Sequence, residues 1–183
     1  MTNEKNPKTN SQTESETILE TNRLILRMWK QSDANALFEI LQDAEVVRHI
    51  DDGNPFSFEK TLKFLETMEK SRGKNGFCRW KVIEKSSGEI IGSCGFGRLS
   101  ETNEIELGYL LAQKHWGKGF ATEAAGACLK FGFEKLNFRE IIALTDSENF
   151  GSRKVLEKIG FAKRGIEVYN GEENLVYLAK NNQ

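Results

Sequence analysis

Residues 104–125 read EIELGYLLAQKHWGKGFATEAA, and this stretch narrows the possible folds of the chain more than any other. An apolar strand over 103–111 runs through Trp116-Gly117-Lys118-Gly119-Phe120-Ala121 straight into a helix, so the glycines fall where that helix opens. The first N–H groups of a helix have no intrahelical partner and carry the positive end of its dipole, which makes such a junction an anion site. Gly117 and Gly119 let backbone come close to a phosphate, and Lys118 adds a point charge. The helix, residues 119–135, is apolar on nearly every side and therefore expected to be buried, with Ala121, Ala124, Ala125 and Cys128 as a stripe of small side chains that would let it lie close on a sheet. A P-loop needs G-x-x-x-x-G-K-[ST] and a dinucleotide fingerprint needs G-x-G-x-x-G; after Gly117-x-Gly119 the chain has Thr122, and neither fits.

The other elements follow from periodicity. Residues 23–28 (RLILRM) read as a first strand, and a helix capped by Ser32 or Asp33 carries Ala34, Leu37, Phe38 and Leu41 on one face. A second helix starts at Ser57, with Phe58, Leu62 and Leu65 inward, and ends at Gly73 and Gly76. Residues 77–84, 89–99 and 103–111 form an antiparallel meander, in which Gly92, Gly95 and Gly97 mark a bulge or close helix packing. After the 119–135 helix come a strand over 140–145, a helix over 147–159, and a hairpin of 161–168 and 174–179 turning at Asn170-Gly171. The expected fold is α/β (α+β) in one domain: a mixed, mostly antiparallel sheet flanked by helices.

Composition removes whole classes of function. With 26 Lys+Arg against 27 Asp+Glu the net charge is −1, unlike the basic surplus of general nucleic-acid binders. Cys78, Cys94 and Cys128 are scattered and odd in number, and His49 and His115 are the only imidazoles, so neither a disulfide scaffold nor a metal centre is expected. Residues 2–17 are polar throughout, which reads as a disordered tail over 1–17 ahead of a domain over 18–180. No stretch approaches the roughly 20 apolar residues of a membrane span, and a cytoplasmic location without membrane partners is the expectation. Trp80, Phe56, Phe58 and Phe77 are assigned to the core.

With its context ELGYLL…WGKGFATEA, the glycine loop resembles the acetyl-CoA loop of the Gcn5-related N-acetyltransferase (GNAT) superfamily, [QR]-x-x-G-x-[GA]. Gly119 and Ala121 match, while Trp116 stands where Gln or Arg is usual, as in the branch containing the ribosomal-protein alanine N-acetyltransferases. ETNRLILR, EIIGSCGF and ENFGSRKVLEKIGF, in that order around the loop, extend the resemblance over the whole folded part. The resemblance implies a fourth and a fifth strand (103–111 and 140–145) that splay apart. Backbone at Tyr109, Leu110 and Leu111 would then bind the pantetheine arm and the thioester carbonyl, and amides from Gly117 through Lys118, Gly119 and Phe120 to Ala121 the pyrophosphate. These donors would also serve the developing oxyanion.

The same resemblance bears on Asn149-Phe150-Gly151-Ser152-Arg153-Lys154-Val155-Leu156. Many superfamily members place a tyrosine acid at the position of Leu156, which this chain lacks; the ribosomal-protein branch has a serine matching Ser152, taken to protonate the leaving thiolate. Helical spacing puts Ser152 with Val155, Leu156 and Ile159 on the sheet side, where packing is its alternative role. Asn149 is similar to a pantetheine-contacting asparagine, against a capping role. Glu106 is the candidate general base, with Glu104 the other carboxylate of its strand. Arg153 and Lys154 stand between CoA-phosphate contacts and a solvated face. The implied activity is acetyl transfer from acetyl-CoA to a primary amine, a protein or peptide N-terminus, by direct attack in a ternary complex and without metal, in a monomer or homodimer. The alternatives are a small-molecule amine acceptor (polyamine, amino acid or antibiotic) and a CoA-binding module without catalysis.

Overall fold

The computed structural model describes residues 16–169 and 171–181. Eight strands form one sheet in the order β1-β2-β3-β4-β5-β6-β8-β7. β1 (Thr17–Glu20) and β2 (Leu24–Arg27) precede α1 (Ala34–Leu41), α2 (Ala44–Val47) and α3 (Phe58–Asn75). The meander β3 (Arg79–Glu84), β4 (Ile90–Arg98) and β5 (Ile105–Leu111) leads into α4 (Phe120–Glu134), β6 (Glu140–Thr145), α5 (Phe150–Lys158) and the hairpin β7 (Ala162–Tyr169) and β8 (Glu172–Lys180). Every pairing is antiparallel except β5–β6, which is parallel and registers at one residue pair, Glu106 with Ile142.

Two elements escape the sequence reading, β1 and α2. β1 pairs Thr17 with Arg27, and the Glu16 carbonyl accepts from the Met28 amide, so the ordered fold starts ahead of residue 18. Residues 1–15, on which most of the expected tail falls, lie outside the described residues, as does Asn170 of the expected turn. α3 runs past Gly73 and stops at Gly76, whose left-handed conformation (φ 80°) donates its N–H to the Arg72 carbonyl; Ser57 Oγ caps the other end by accepting from Lys60 N. A bulge does interrupt β3–β4: Val82 faces Gly92 and Ile83 faces Ile90, which leaves Ile91 of β4, next to Gly92, as the extra residue.

Cores lie on both faces of the sheet. One holds Trp80, Cys94, Phe96, Leu107 and Leu156 beneath α4 and α5; the other holds Leu37, Leu41, Val47, Leu65 and Leu110 beneath α1 to α3. α4 comes close because Gly132 has no side chain: a Cβ there would lie 2.8 Å from Phe96 Cζ and 2.9 Å from Ile141 Cδ1. α4 is buried along Phe120, Ala124, Ala125 and Cys128 rather than all round, and Ala121 sits half-buried at its edge. Trp80, Phe56 and Phe77 are core as expected, but Phe58 is 41% exposed, because α3 turns Thr61 and Leu65 inward instead. Among the described residues no helix is long and apolar enough to cross a membrane, and no cluster of His, Cys, Asp or Glu is placed to hold a metal ion.

Candidate active site

The split between β5 and β6 opens a cleft of about 1110 Å³ that runs from the start of α4 across the sheet to the α2–α3 loop and the start of β8. Ala112 donates its N–H to Ile91 of β4 and Leu99 to Glu104, which fixes the alternation of the β4–β5 ladder. Even-numbered residues of β5, Leu110 among them, direct their backbone groups at β4, whereas those of Tyr109 and Leu111 face the split. Leu110 is therefore committed to Ser93, its ladder partner. The Leu111 carbonyl is occupied as well, accepting from the Trp116 indole at 2.8 Å. Trp116, 46% exposed, thus fastens the glycine loop to the end of β5.

At the near end of the cleft, α4 opens at Gly119 without any side-chain cap, and both Gly117 (φ 73°) and Gly119 (φ 81°) are left-handed, a conformation that favours glycine. A Cβ on Gly117 would meet no atom within 4 Å. Gly117, Gly119, Phe120 and Ala121 all line the cleft, an arrangement that fits a pyrophosphate on free amides. Lys118 does not line it; its carbonyl accepts from Arg23 Nη1 at 3.0 Å. That bond belongs to a strap that sequence reading missed. Glu123, in the first turn of α4, accepts from Thr21 Oγ, Arg23 N and Arg23 Nε at 2.6, 2.9 and 2.7 Å, and the Arg23 guanidinium stacks on Phe120. Burial works to raise the Glu123 carboxyl, but these hydrogen bonds and the guanidinium hold it below the usual carboxylate range.

At the split, Ser152 turns toward the sheet and meets Tyr109: the two hydroxyls are 2.9 Å apart, and Tyr109 also donates to the Ser152 carbonyl at 3.1 Å. Leu156 is fully buried, and the phenol beside Ser152 comes from β5. Burial pushes the Tyr109 phenol well above its ordinary value, so it stays a hydrogen-bond donor. Asn149 caps α5 by accepting from Ser152 N at 3.0 Å, and it also lines the cleft. Arg153 donates to the Ser147 carbonyl, and Lys154 does not border the cleft.

Beyond the split, Glu106 faces the far chamber with its carboxylate held by Arg79 Nη2 at 2.7 Å; the side chains are 15% and 25% exposed. Gly108 makes room for that pair, since a Cβ there would fall 2.4 to 2.5 Å from the Arg79 guanidinium. Glu104 is held by Arg164 and by the Tyr169 hydroxyl, outside the cleft. A further pair in the chamber went unseen in the sequence: His49 Nδ1 lies 3.0 Å from Asp146 Oδ2, joining the α2–α3 loop to the end of β6.

The profile of the acetyltransferase (GNAT) domain matches residues 23–162. N-acetyltransferase YoaA of Bacillus subtilis (strain 168) is 33% identical over 150 residues, 81% of this chain and 85% of that one. An acetyltransferase crystal structure from Agrobacterium tumefaciens str. C58 superposes with a TM-score of 0.80 at 28% identity, covering 89% of this chain and 94% of the other. RimL, a ribosomal L7/L12 alpha-N-protein acetyltransferase solved in complex with coenzyme A, shares the fold with a TM-score of 0.76 at 20% identity, covering 90% of this chain and 98% of its own.

Proposed function

The chain belongs to the GNAT family of acetyltransferases and is an acetyl-CoA-dependent N-acetyltransferase, and from that premise we propose that its acceptor is the α-amine of a protein or peptide N-terminus. The carrying observation is the course of the cleft. It does not end at the split but continues past Ser152 to the α2–α3 loop and the start of β8, so the groups behind the reacting nitrogen would lie along those segments. RimL, named for such an acceptor, has the same fold.

In this reading acetyl-CoA enters as substrate, its pyrophosphate on the amides of Gly117, Gly119, Phe120 and Ala121 and its pantetheine arm along the backbone of Tyr109 and past Asn149. The amine attacks the thioester directly. The Tyr109 N–H, facing the split, donates to the carbonyl oxygen as charge develops. Ser152 protonates the departing sulfur, with its Oγ accepting from Tyr109. Glu106 and Arg79 form one wall of the acceptor chamber. Protonation favours the α-amine: with reference values near 7.8 and 10.4, the neutral fractions of an α-amine and a lysine differ roughly 400-fold at pH 7, or about 3.5 kcal/mol. A site whose wall carboxylate is matched by an arginine has little means of offsetting that difference for lysine.

Carboxylates at the mouth (Glu45, Asp51, Asp52, Glu172 and Glu173) outnumber the arginines of the lining, Arg48 and Arg79, which favours a cationic polyamine as the second reading. Competition decides between them. Peptides with a free N-terminus and no lysine should show higher kcat/KM than peptides with a blocked N-terminus and one lysine, and than spermidine. Faster reaction of the blocked peptides or of spermidine would refute the α-amine assignment.

A further inference from the structure

The proton leaving the attacking nitrogen needs an acceptor, and the two carboxylates of β5 are poorly suited to take it. Glu106 is ion-paired to Arg79. Glu104 lies outside the cleft, where Arg164 first, and Thr102 and Tyr169 after it, hold its carboxyl below the usual range against the opposing effect of burial. His49 differs from both. It lies two residues past α2 on the wall of the acceptor chamber, its side chain 20% exposed, with Nδ1 3.0 Å from Asp146 Oδ2.

Asp146 is fixed in turn. Its other carboxylate oxygen accepts from Glu148 N at 2.8 Å, and its carbonyl accepts from the amide of Asn149, the residue that caps the Ser152 helix. The Glu148 amide is the main reason the Asp146 carboxyl stays below its ordinary range; burial opposes it, and the hydrogen bond with His49 adds to it. An ionised carboxylate only accepts, so in the neutral imidazole the proton it shares sits on Nδ1 and the lone pair is left to Nε2.

We propose that His49 is the general base of the transfer reaction and Asp146 the positioning residue that sets its tautomer. The acceptor arrives as an ammonium ion and gives one proton to His49 Nε2. Its freed lone pair attacks the carbonyl carbon, the N–C bond forms and the C–S bond breaks. Ser152 gives its proton to the thiolate and regains one from the nitrogen, while the imidazolium releases its own to water. Net, one proton leaves for each amide formed.

The other charged groups around His49 are Glu45 and Arg48 from its own segment, Asp51 and Asp52 held on Lys60 of α3, the Arg79–Glu106 pair of β3 and β5, and Glu172 and Glu173 of β8. His115, the second imidazole of the lining, is buried on the glycine-loop side, 3.6 Å from Glu89. The inference rests on acetyl transfer itself, not on the choice of an α-amine acceptor.

His49→Asn separates chemistry from architecture, because the Asn amide can still donate to Asp146 while no group replaces Nε2. The assay is kcat against pH at saturating acetyl-CoA, with a lysine-free peptide bearing a free N-terminus and with spermidine. H49N should lower kcat by about 10²-fold or more and remove the acid limb, with the KM for acetyl-CoA unchanged. Asp146→Asn should lower kcat with the KM for acetyl-CoA unchanged, since an amide in place of the carboxylate no longer fixes the ring by accepting alone. His49→Ala with added imidazole, expected to recover part of the rate, covers the case in which H49N does not fold. An H49N rate within threefold of wild type, or an acid limb lost in Glu106→Gln but kept in H49N, overturns the proposal, as does absence of imidazole rescue in folded His49→Ala. Wild-type transfer to spermidine alone would remove the α-amine reading and leave the His49 comparison intact. Transfer to neither probe would overturn both.

Discussion

Ser152→Ala is the perturbation for which structure and chemistry predict the widest separation. Among the described residues the Ser152 hydroxyl has one protein partner, Tyr109, at 2.9 Å, and the Tyr109 hydroxyl keeps a second acceptor, the Ser152 carbonyl at 3.1 Å, when Oγ is removed. No buried donor is left unpaired. The stability loss should therefore not exceed one net hydrogen bond, about 1 kcal/mol, or roughly 2–4 °C in Tm for a domain of this size. A positioned acid contributes about 10²- to 10⁴-fold, equivalent to roughly 2.7–5.5 kcal/mol of barrier. The variant should keep its fold and its KM for acetyl-CoA while kcat falls at least a hundredfold, measured as thiol release at saturation beside a calorimetric melt. Tyr109→Phe is the control: it leaves the serine hydroxyl but removes the bond that aims it, and its kcat should fall by less. If Ser152→Ala turns over within about threefold of wild type, the serine is a packing residue and the thiolate takes its proton elsewhere.

Three further outcomes are expected. Gly119→Val should weaken acetyl-CoA binding by about 1–3 kcal/mol, because a β-branched residue disfavours the left-handed backbone (φ 81°) at the start of α4 and would turn its free amides away from phosphate; isothermal titration with unchanged affinity in folded protein would remove the loop from the site. Trp116→Phe deletes the indole bond to Leu111 and should raise the KM for acetyl-CoA with Tm lowered by no more than about 1 kcal/mol in equivalent stability, since water reaches the freed carbonyl. Glu104→Gln tests linkage: the folded Glu104 carboxyl is held low, chiefly by Arg164, so its stabilisation is present above the unfolded value and fades as pH falls through the folded one. The Tm gap between this variant and wild type should thus narrow between pH 6 and pH 3, and a gap constant with pH would contradict the pairing.

What could be read from the sequence was local. The junction at Gly117 and Gly119, the cap at Asn149 and the small-residue stripe of α4 are patterns within one or two turns of chain, where periodicity and capping chemistry act. β1 and α2 have four residues each, too few to show a period. The pairs that decide the chemistry are distant in sequence: Arg79 stands 27 residues from Glu106, Tyr109 43 from Ser152, His49 97 from Asp146 and Arg23 100 from Glu123. Strand register and helix packing bring them together, and neither residue of such a pair announces the other. Phe58 shows the converse, an apolar residue at helical spacing left at the rim because Thr61, bonded back to the Ser57 carbonyl at 3.1 Å, takes the inward position.

The single register pair between Glu106 and Ile142 divides the sheet into a five-strand and a three-strand block whose shared ladder is almost missing. Such a joint has few hydrogen bonds to resist opening, so without ligand the amides of Tyr109 and Leu111 should exchange with solvent deuterium far faster than those of Leu110 or Ile142. A pantetheine arm lying in the gap would stand in for the absent length of strand. Acetyl-CoA at about 100 times its Kd would then add roughly 2.7 kcal/mol to global stability, concentrated as exchange protection along the edges of the joint. The two blocks stay joined by the core they share beneath α4, so it is the edges of the joint, and not the whole fold, that tighten each time a substrate is loaded and loosen again with each product released.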